Sequence, residues 1–127
     1  MTLESIHTSN APAAIGPYSQ AVTTGQFLFV SGQLGMNPEN GELVGDDLKS
    51  QARQALENLE QVVLAGGSNL ENVMSVDAFL TSMDDFPAFN DIYTEFFSTH
   101  KPARAVVEVS ALPKGACVEV KCMAMKV

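Results

Sequence analysis

The chain has 127 residues, 46% of them apolar, enough for one compact core and too short for a second of normal size, so residues 1–127 read as a single domain. Fifteen acidic residues against seven basic ones give a formal net charge of −8; that field repels a phosphate backbone, no Lys/Arg cluster offsets it, and no nucleic-acid partner is expected. No apolar run approaches the roughly 18 residues of a membrane span, and the opening Met1-Thr2-Leu3-Glu4-Ser5 lacks the basic region and apolar run of a secretory signal, so no membrane partner is expected either.

A short strand is expected near residues 2–7. Two clear strands follow, Ser19–Thr24 and Gln26–Ser31, split by the tight-turn signal Thr24-Gly25. A Gly/Pro/Asn-rich loop then runs from Gly32 to Gly45. The periodicity predicts a helix over about Asp46–Ala65, with Leu48, Ala52, Ala55, Leu56, Leu59, Val62 and Val63 on one apolar face. Asp46 or Asp47 caps its start, and Gly66-Gly67 ends it with a left-handed turn. Asn72–Leu80 reads as a strand with Met74, Val76, Ala78 and Leu80 on one face. A second helix is expected over about Asp84–Thr99, with Pro87 in its first turn, where a missing N–H does little harm. Its stripe is Phe86, Phe89, Tyr93, Phe96 and Phe97. Four of the seven phenylalanines sit there, and at helical spacing they read as core rather than as a cofactor box. Strands at Arg104–Ser110 and Ala116–Met125 close the chain, joined by the turn Leu112-Pro113-Lys114-Gly115.

The order is β-β-α-β-α-β-β with the extra N-terminal strand, which is an α+β pattern. If the two strands of the unit Asn72–Ser110 are neighbours they are parallel, and the rest of the sheet is antiparallel. Two helices cover only one face of such a mixed sheet. Yet Phe27-Leu28-Phe29-Val30 and Val73–Leu80 are apolar on both faces, so the uncovered face needs a partner, most simply another copy of the chain.

Cys117 and Cys122 fall at an odd spacing in one predicted strand, point to opposite faces and cannot bridge each other; two free thiols fit a reducing, cytoplasmic location. His7 and His100 form no zinc-like spacing with them, and no metal site is expected.

Arg104, one of only two arginines beside Arg53, follows Pro102 and shares a strand face with Val106. A guanidinium there is a planar fork for a carboxylate ligand, or else the partner of a nearby Asp or Glu. Glu119 and Lys121 lie opposite the apolar face Ala116, Val118, Val120, Cys122 and Ala124, together with Cys117, Met123 and Met125. A carboxylate among sulfur and apolar groups loses hydration, which raises its pKa and suits it to shuttle a proton; on a wet face it merely solvates the sheet or pairs with Lys121. Gly16-Pro17-Tyr18-Ser19 is a turn whose Tyr18 either packs on the turn or reaches a ligand. Ser31-Gly32-Gln33 ends a strand at a glycine that permits close backbone approach, so N–H groups there could face an oxyanion. Asn90 lies on the second helix off the aromatic stripe, where a solvated side chain is the plain reading.

These residues also carry a resemblance. Asn10-Ala11-Pro12-Ala13-Ala14-Ile15-Gly16-Pro17-Tyr18-Ser19-Gln20-Ala21-Val22 resembles the N-terminal signature of the RidA/YjgF family. The run from Pro102-Ala103-Arg104 through Leu112-Pro113-Lys114-Gly115 to Val118-Glu119-Val120 resembles its C-terminal signature. Ser31-Gly32-Gln33, Asn37-Pro38 and Gln51-Ala52-Arg53-Gln54-Ala55-Leu56 fit between them. The resemblance implies a chorismate-mutase-like α+β fold, with a mixed six-stranded sheet and two helices on one face, assembled as a homotrimer with clefts between subunits. It also implies hydrolysis of 2-imino acids or their enamine tautomers, such as 2-iminobutanoate and 2-iminopropanoate, to 2-oxo acids and ammonia, with no metal and no organic cofactor. Its motif residues fall on Tyr18, Gly32, Asn90, Arg104 and Glu119. Arg104 would clamp the carboxylate of a small substrate, Glu119 would handle water, Tyr18 would orient the molecule, and backbone groups near Ser31, Gly32 and Val106 would support developing charge. Deaminase members often carry a Cys where this chain has Val106, and a valine donates neither a proton nor a hydrogen bond. The alternatives are a trimer that binds a 2-oxo acid or amino acid without turning it over, and the translation-inhibitor, ribonuclease or chaperone-like roles described for some members.

Overall fold

The computed structural model describes residues 2–127. Six strands form one sheet: β1 (Glu4–Ile6), β2 (Ala21–Thr24), β3 (Phe27–Leu34), β4 (Val73–Leu80), β5 (Ala103–Glu108) and β6 (Val118–Met125), in the order β1-β2-β3-β6-β4-β5. Only β4 and β5 run parallel; every other pair is antiparallel. Two helices, α1 (Leu48–Ala65) and α2 (Phe86–Phe96), pack over one face. The mixed sheet and its single helical layer are as the pattern predicts.

The apolar stripe of α1 is buried as expected, against Leu28 and Val30 of β3 and Val120 and Cys122 of β6. Asp47 is the cap: its side chain accepts from the Ser50 N–H at 2.9 Å. The left-handed residue after the helix is Gly67 (φ 86°). Two polar residues of the same stripe, Gln51 and Asn58, are also buried, and hydrophobic periodicity gives no sign of them. Asn58 Nδ2 donates to the carbonyls of Leu34 (3.0 Å) and Met36 (2.9 Å). Gln51 donates to the Gly45 carbonyl (2.8 Å) and accepts from the Cys117 N–H (2.9 Å), tying the chain leaving β3 to the chain entering β6. Gln51→Leu strands both backbone groups, so it should lower stability by about 1–3 kcal/mol in urea unfolding, because a buried donor or acceptor left without a partner keeps its desolvation cost.

Several boundaries differ from the sequence reading. β3 continues through Ser31-Gly32-Gln33 to Leu34, so these residues lie inside a strand rather than at its end; the register shifts between Val30 and Gln33, and that irregularity is where the glycine sits. Helix α2 begins at Phe86, after a 3-10 turn at Met83–Asp85, and ends at Phe96, because Phe97 leaves helical geometry (φ −111°, ψ 64°). Phe89, Tyr93 and Phe97 of the aromatic stripe are buried, Phe86 and Phe96 only half so, and Ile92 joins the core. β2, β5 and β6 are each shorter than predicted.

Among the described residues no helix packs on the second sheet face at β3 and β6. Phe27 and Phe29 are 49% and 45% exposed, directly beside Met125 and Met123, and Val107 is exposed on the same side.

Candidate active site

Four of the predicted residues converge. A buried Gln20 pins the N-terminal segment: its Oε1 accepts from the Thr8 N–H (2.7 Å) and its Nε2 donates to the carbonyls of Thr8 (3.0 Å) and Pro12 (2.8 Å). Ser31 then stitches the Tyr18 turn to β3. Its N–H donates to the Gln20 carbonyl (2.9 Å) and its hydroxyl to the Ser19 carbonyl. Tyr18, Ser31, Gly32 and Glu119 accordingly line one cavity of about 580 Å³, walled by Ile15, Leu34, Met36 and Pro113 with Lys114 at its edge.

Glu119 and Gly32 are in close contact. A Cβ on Gly32 would fall 1.9 Å from Glu119 Oε2 and 2.8 Å from its carboxyl carbon. Gly32 does not have a positive φ, so the position demands space rather than a glycine-only backbone. The Glu119 carboxyl is half-buried, and burial raises its pKa above the usual glutamate value, opposed by the nearby Lys121 ammonium. That is the direction the strand alternation predicts.

Arg104 and Asn90 form a second group. Arg104 Nη1 donates to Asn90 Oδ1 at 2.8 Å, so Asn90 is engaged rather than simply solvated. The guanidinium carbon lies 4.7 Å from the Tyr93 ring centroid and 5.7 Å from that of Phe86. Among the described residues the ion pairs are Lys49–Asp91 and Arg53–Glu95, and Arg104 pairs with no carboxylate. A cavity of about 300 Å³ opens there, lined by Asn90, Tyr93, Thr94, Lys101, Pro102 and Arg104. Val106, two residues along, is half-buried and packs against the core.

The two groups lie on opposite faces of the sheet. Arg104 pairs with Val76, and Val76 with Cys122, all in the row that faces the helices; Glu119 pairs with Phe79 and Leu34 in the row that faces away. One chain therefore presents two half-sites. The sequence reading misses Tyr93, taken as core alone, and Lys114, taken as a turn residue although its φ of 60° is the one left-handed value at a non-glycine among the described residues. Tyr93 has a signal in the sequence: it stands one helical turn beyond Asn90 and so shares its side of α2.

Burial disfavours the nucleophilic thiolate at both cysteines. Burial pushes Cys122 up to about 12 and raises Cys117, which donates to Gln51 Oε1 at 3.2 Å. No group of three or more His, Cys, Asp or Glu among the described residues is arranged to hold a metal ion, and no helix of the described residues is long and apolar enough to cross a membrane.

The fold is a six-stranded mixed sheet under one helical layer, with a carboxylate cavity on one face and, among the described residues, an arginine in no ion pair on the other. The family model described as Endoribonuclease L-PSP matches residues 8–126. The chain is 47% identical over 123 residues to a RutC family protein of Pyrococcus horikoshii, covering 97% of this chain and 98% of that one. It is 45% identical over 121 residues to the 2-iminobutanoate/2-iminopropanoate deaminase of Capra hircus, covering 95% of this chain and 88% of that protein. The structure of E. coli TdcF with bound serine superposes with a TM-score of 0.92 at 37% identity, covering 98% of this chain and 99% of that one. The chain belongs to this family, the RidA/YjgF family.

Proposed function

We propose that the protein hydrolyses small 2-imino acids, 2-iminobutanoate and 2-iminopropanoate among them, to 2-oxo acids and ammonia, in sites assembled between copies of a homotrimer. Each site takes Arg104, Asn90 and Val106 from one copy and Tyr18, Ser31, Gly32 and Glu119 from the next. The observation that carries this reading is the separation of the half-sites: an arginine held without a counter-ion on one face and a desolvated carboxylate on the other complete each other only across an interface. The uncovered apolar face around Phe29 and Met123 supplies a reason to associate.

The chemistry asks little of the protein. Arg104 bonds both carboxylate oxygens of the imino acid. Ionised Glu119 takes a proton from water as the oxygen attacks the C=N carbon of the protonated imine, giving a 2-amino-2-hydroxy acid and a neutral Glu119 carboxyl that holds the proton for the next step. The proton passes to nitrogen, the C–N bond breaks, ammonia leaves, and the carbonyl forms as the hydroxyl proton is lost. Because the imine is already reactive, positioning and one proton shuttle suffice, and no cofactor enters any step. Tyr18 walls the bound molecule.

Subunit complementation tests this. Arg104→Ala and Glu119→Gln chains should each lose most of their activity, but unfolded together and reassembled they should recover about a quarter of wild-type hydrolysis, because a head-to-tail interface pairs an intact arginine with an intact glutamate at that frequency. Recovery no greater than the sum of the two separate variants would mean that the residues do not meet between chains. Independently, Phe29→Asp should dissociate the assembly in sedimentation and abolish hydrolysis together with it, since a buried unpaired charge is costly at such a face.

A binding-only trimer is the second reading, favoured by the serine bound to TdcF. Added to a threonine dehydratase reaction, a deaminase speeds release of 2-oxobutanoate; a binding protein leaves that rate unchanged.

A further inference from the structure

Three neutral groups on one side of α2 hold the Arg104 guanidinium. Asn90 Oδ1 accepts from Nη1 at 2.8 Å, and the rings of Tyr93 and Phe86 lie 4.7 Å and 5.7 Å from the guanidinium carbon. Residues 86, 90 and 93 recur at helical spacing, so a single rigid element presents all three to the edge strand β5. Tyr93 is itself fixed. It is 8% exposed and sits between Phe89 and Phe97, with ring centroids 5.7 Å and 4.8 Å away.

An aspartate or glutamate in place of Asn90 would hold the arginine as well, but it would also neutralise it. An amide and two aromatic faces fix the plane of the cation while leaving its charge free for a ligand. An exposed arginine without such a cradle loses rotamer freedom on binding, which weakens affinity; here that freedom is lost on folding instead.

We propose that Tyr93 is a positioning residue for substrate recognition: its ring, assisted by Phe86, sets the Arg104 fork in the orientation that receives a carboxylate before the ligand arrives. This rests on the reading of Arg104 as the carboxylate clamp. The ring carries the effect and the hydroxyl does not. The Tyr93 hydroxyl is buried without a hydrogen-bond partner, so Tyr93→Phe keeps the stack and removes an unsatisfied polar atom.

The test uses the intact oligomer, with calorimetric binding of 2-oxobutanoate and hydrolysis of 2-iminobutanoate generated in place. Tyr93→Leu should raise Kd and KM about 5- to 30-fold with kcat changed less than about twofold, the scale of a lost cation–π contact plus the lost orientation. Tyr93→Phe should stay within about twofold of the wild-type Kd, and Phe86→Leu, removing the more distant ring, should raise Kd about two- to fivefold. In an Arg104→Ala background, Tyr93→Leu should have no further effect on kcat/KM, which separates positioning through Arg104 from general loosening of the core. Wild-type affinity in a folded Tyr93→Leu oligomer overturns the proposal, as does an equal loss in the Arg104→Ala background. If Tyr93→Leu does not assemble, wild-type affinity in Phe86→Leu overturns it. A wild-type protein that neither binds 2-oxobutanoate nor hydrolyses the imine overturns the clamp itself, a failure distinguishable from the others because no substitution is involved.

Discussion

Arg104→Ala is expected to lower kcat/KM for 2-imino acid hydrolysis by about 30- to 4,000-fold while leaving the oligomer assembled. The range follows from the roughly 2–5 kcal/mol lost when one half of a desolvated, hydrogen-bonded charge pair is removed. The fold itself should be little affected. Arg104 lies on an exposed edge strand, its polar partner in the chain is the side chain of Asn90, and its loss leaves no buried charge behind. Arg104→Lys should also fail substantially. An ammonium neither bonds both carboxylate oxygens in one plane nor keeps the planar guanidinium's contact with the Tyr93 ring. Near-normal hydrolysis by folded Arg104→Ala is the result that removes the clamp from the mechanism. Val106 sets a further expectation. Its side chain packs on the core and offers no donor, so any support at this position comes from the backbone, and Val106→Ala should change turnover far less than Arg104→Ala.

Much of this arrangement was legible from residue order because it depends on alternation. Period-2 patterning in β6 separates Val118, Val120, Cys122 and Ala124 from Glu119, and the same rule sets Arg104 beside Val106. Doubly apolar strands likewise announce an uncovered face, which the exposed Phe27 and Phe29 confirm. The unread parts depend on pairing between distant segments. Nothing local says that β6 inserts between β3 and β4, yet that insertion brings Glu119 against Gly32 and puts Arg104 on the other face. Gln20, Gln51 and Asn58 give no sequence signal for the same reason: their partners are backbone groups of remote loops, and a buried amide looks like a surface one in sequence. Tyr93 reads only as a core aromatic in sequence because a residue that packs in the core and also contacts a neighbouring cation shows only the first in a hydrophobic stripe.

The contact between Gly32 and Glu119 supports the other large expected effect. Gly32→Ala puts a methyl carbon in clash with Glu119 Oε2, so the carboxylate must move. Because the backbone at Gly32 accepts any residue, the substitution strains no torsion and acts through the displaced oxygen. An ångström-scale misplacement of a catalytic group costs about 100-fold in turnover, so kcat should fall by about that factor while KM moves little. Glu119→Gln, which removes the base, should cost about 10²- to 10⁴-fold in kcat. If both act on the same proton transfer, Gly32→Ala adds almost nothing in the Glu119→Gln background; additive losses would show that the glycine serves the backbone instead. The pH dependence gives an independent reading. Burial holds the Glu119 carboxyl neutral to higher pH than an ordinary glutamate, so the acid limb of the kcat profile should lie on the higher-pH side of an ordinary glutamate's and vanish in Glu119→Gln. The same shift has a cost in stability. With the folded-state pKa raised, ionisation penalises the fold at all pH above that pKa and not below the unfolded value. Glu119→Gln should therefore raise Tm at neutral pH and lose that advantage in acid. A variant that is less active and more stable, with both differences fading as the carboxyl protonates, is what a carboxylate held desolvated for catalysis predicts, and equal stability at neutral pH would place Glu119 in solvent with no raised pKa to use.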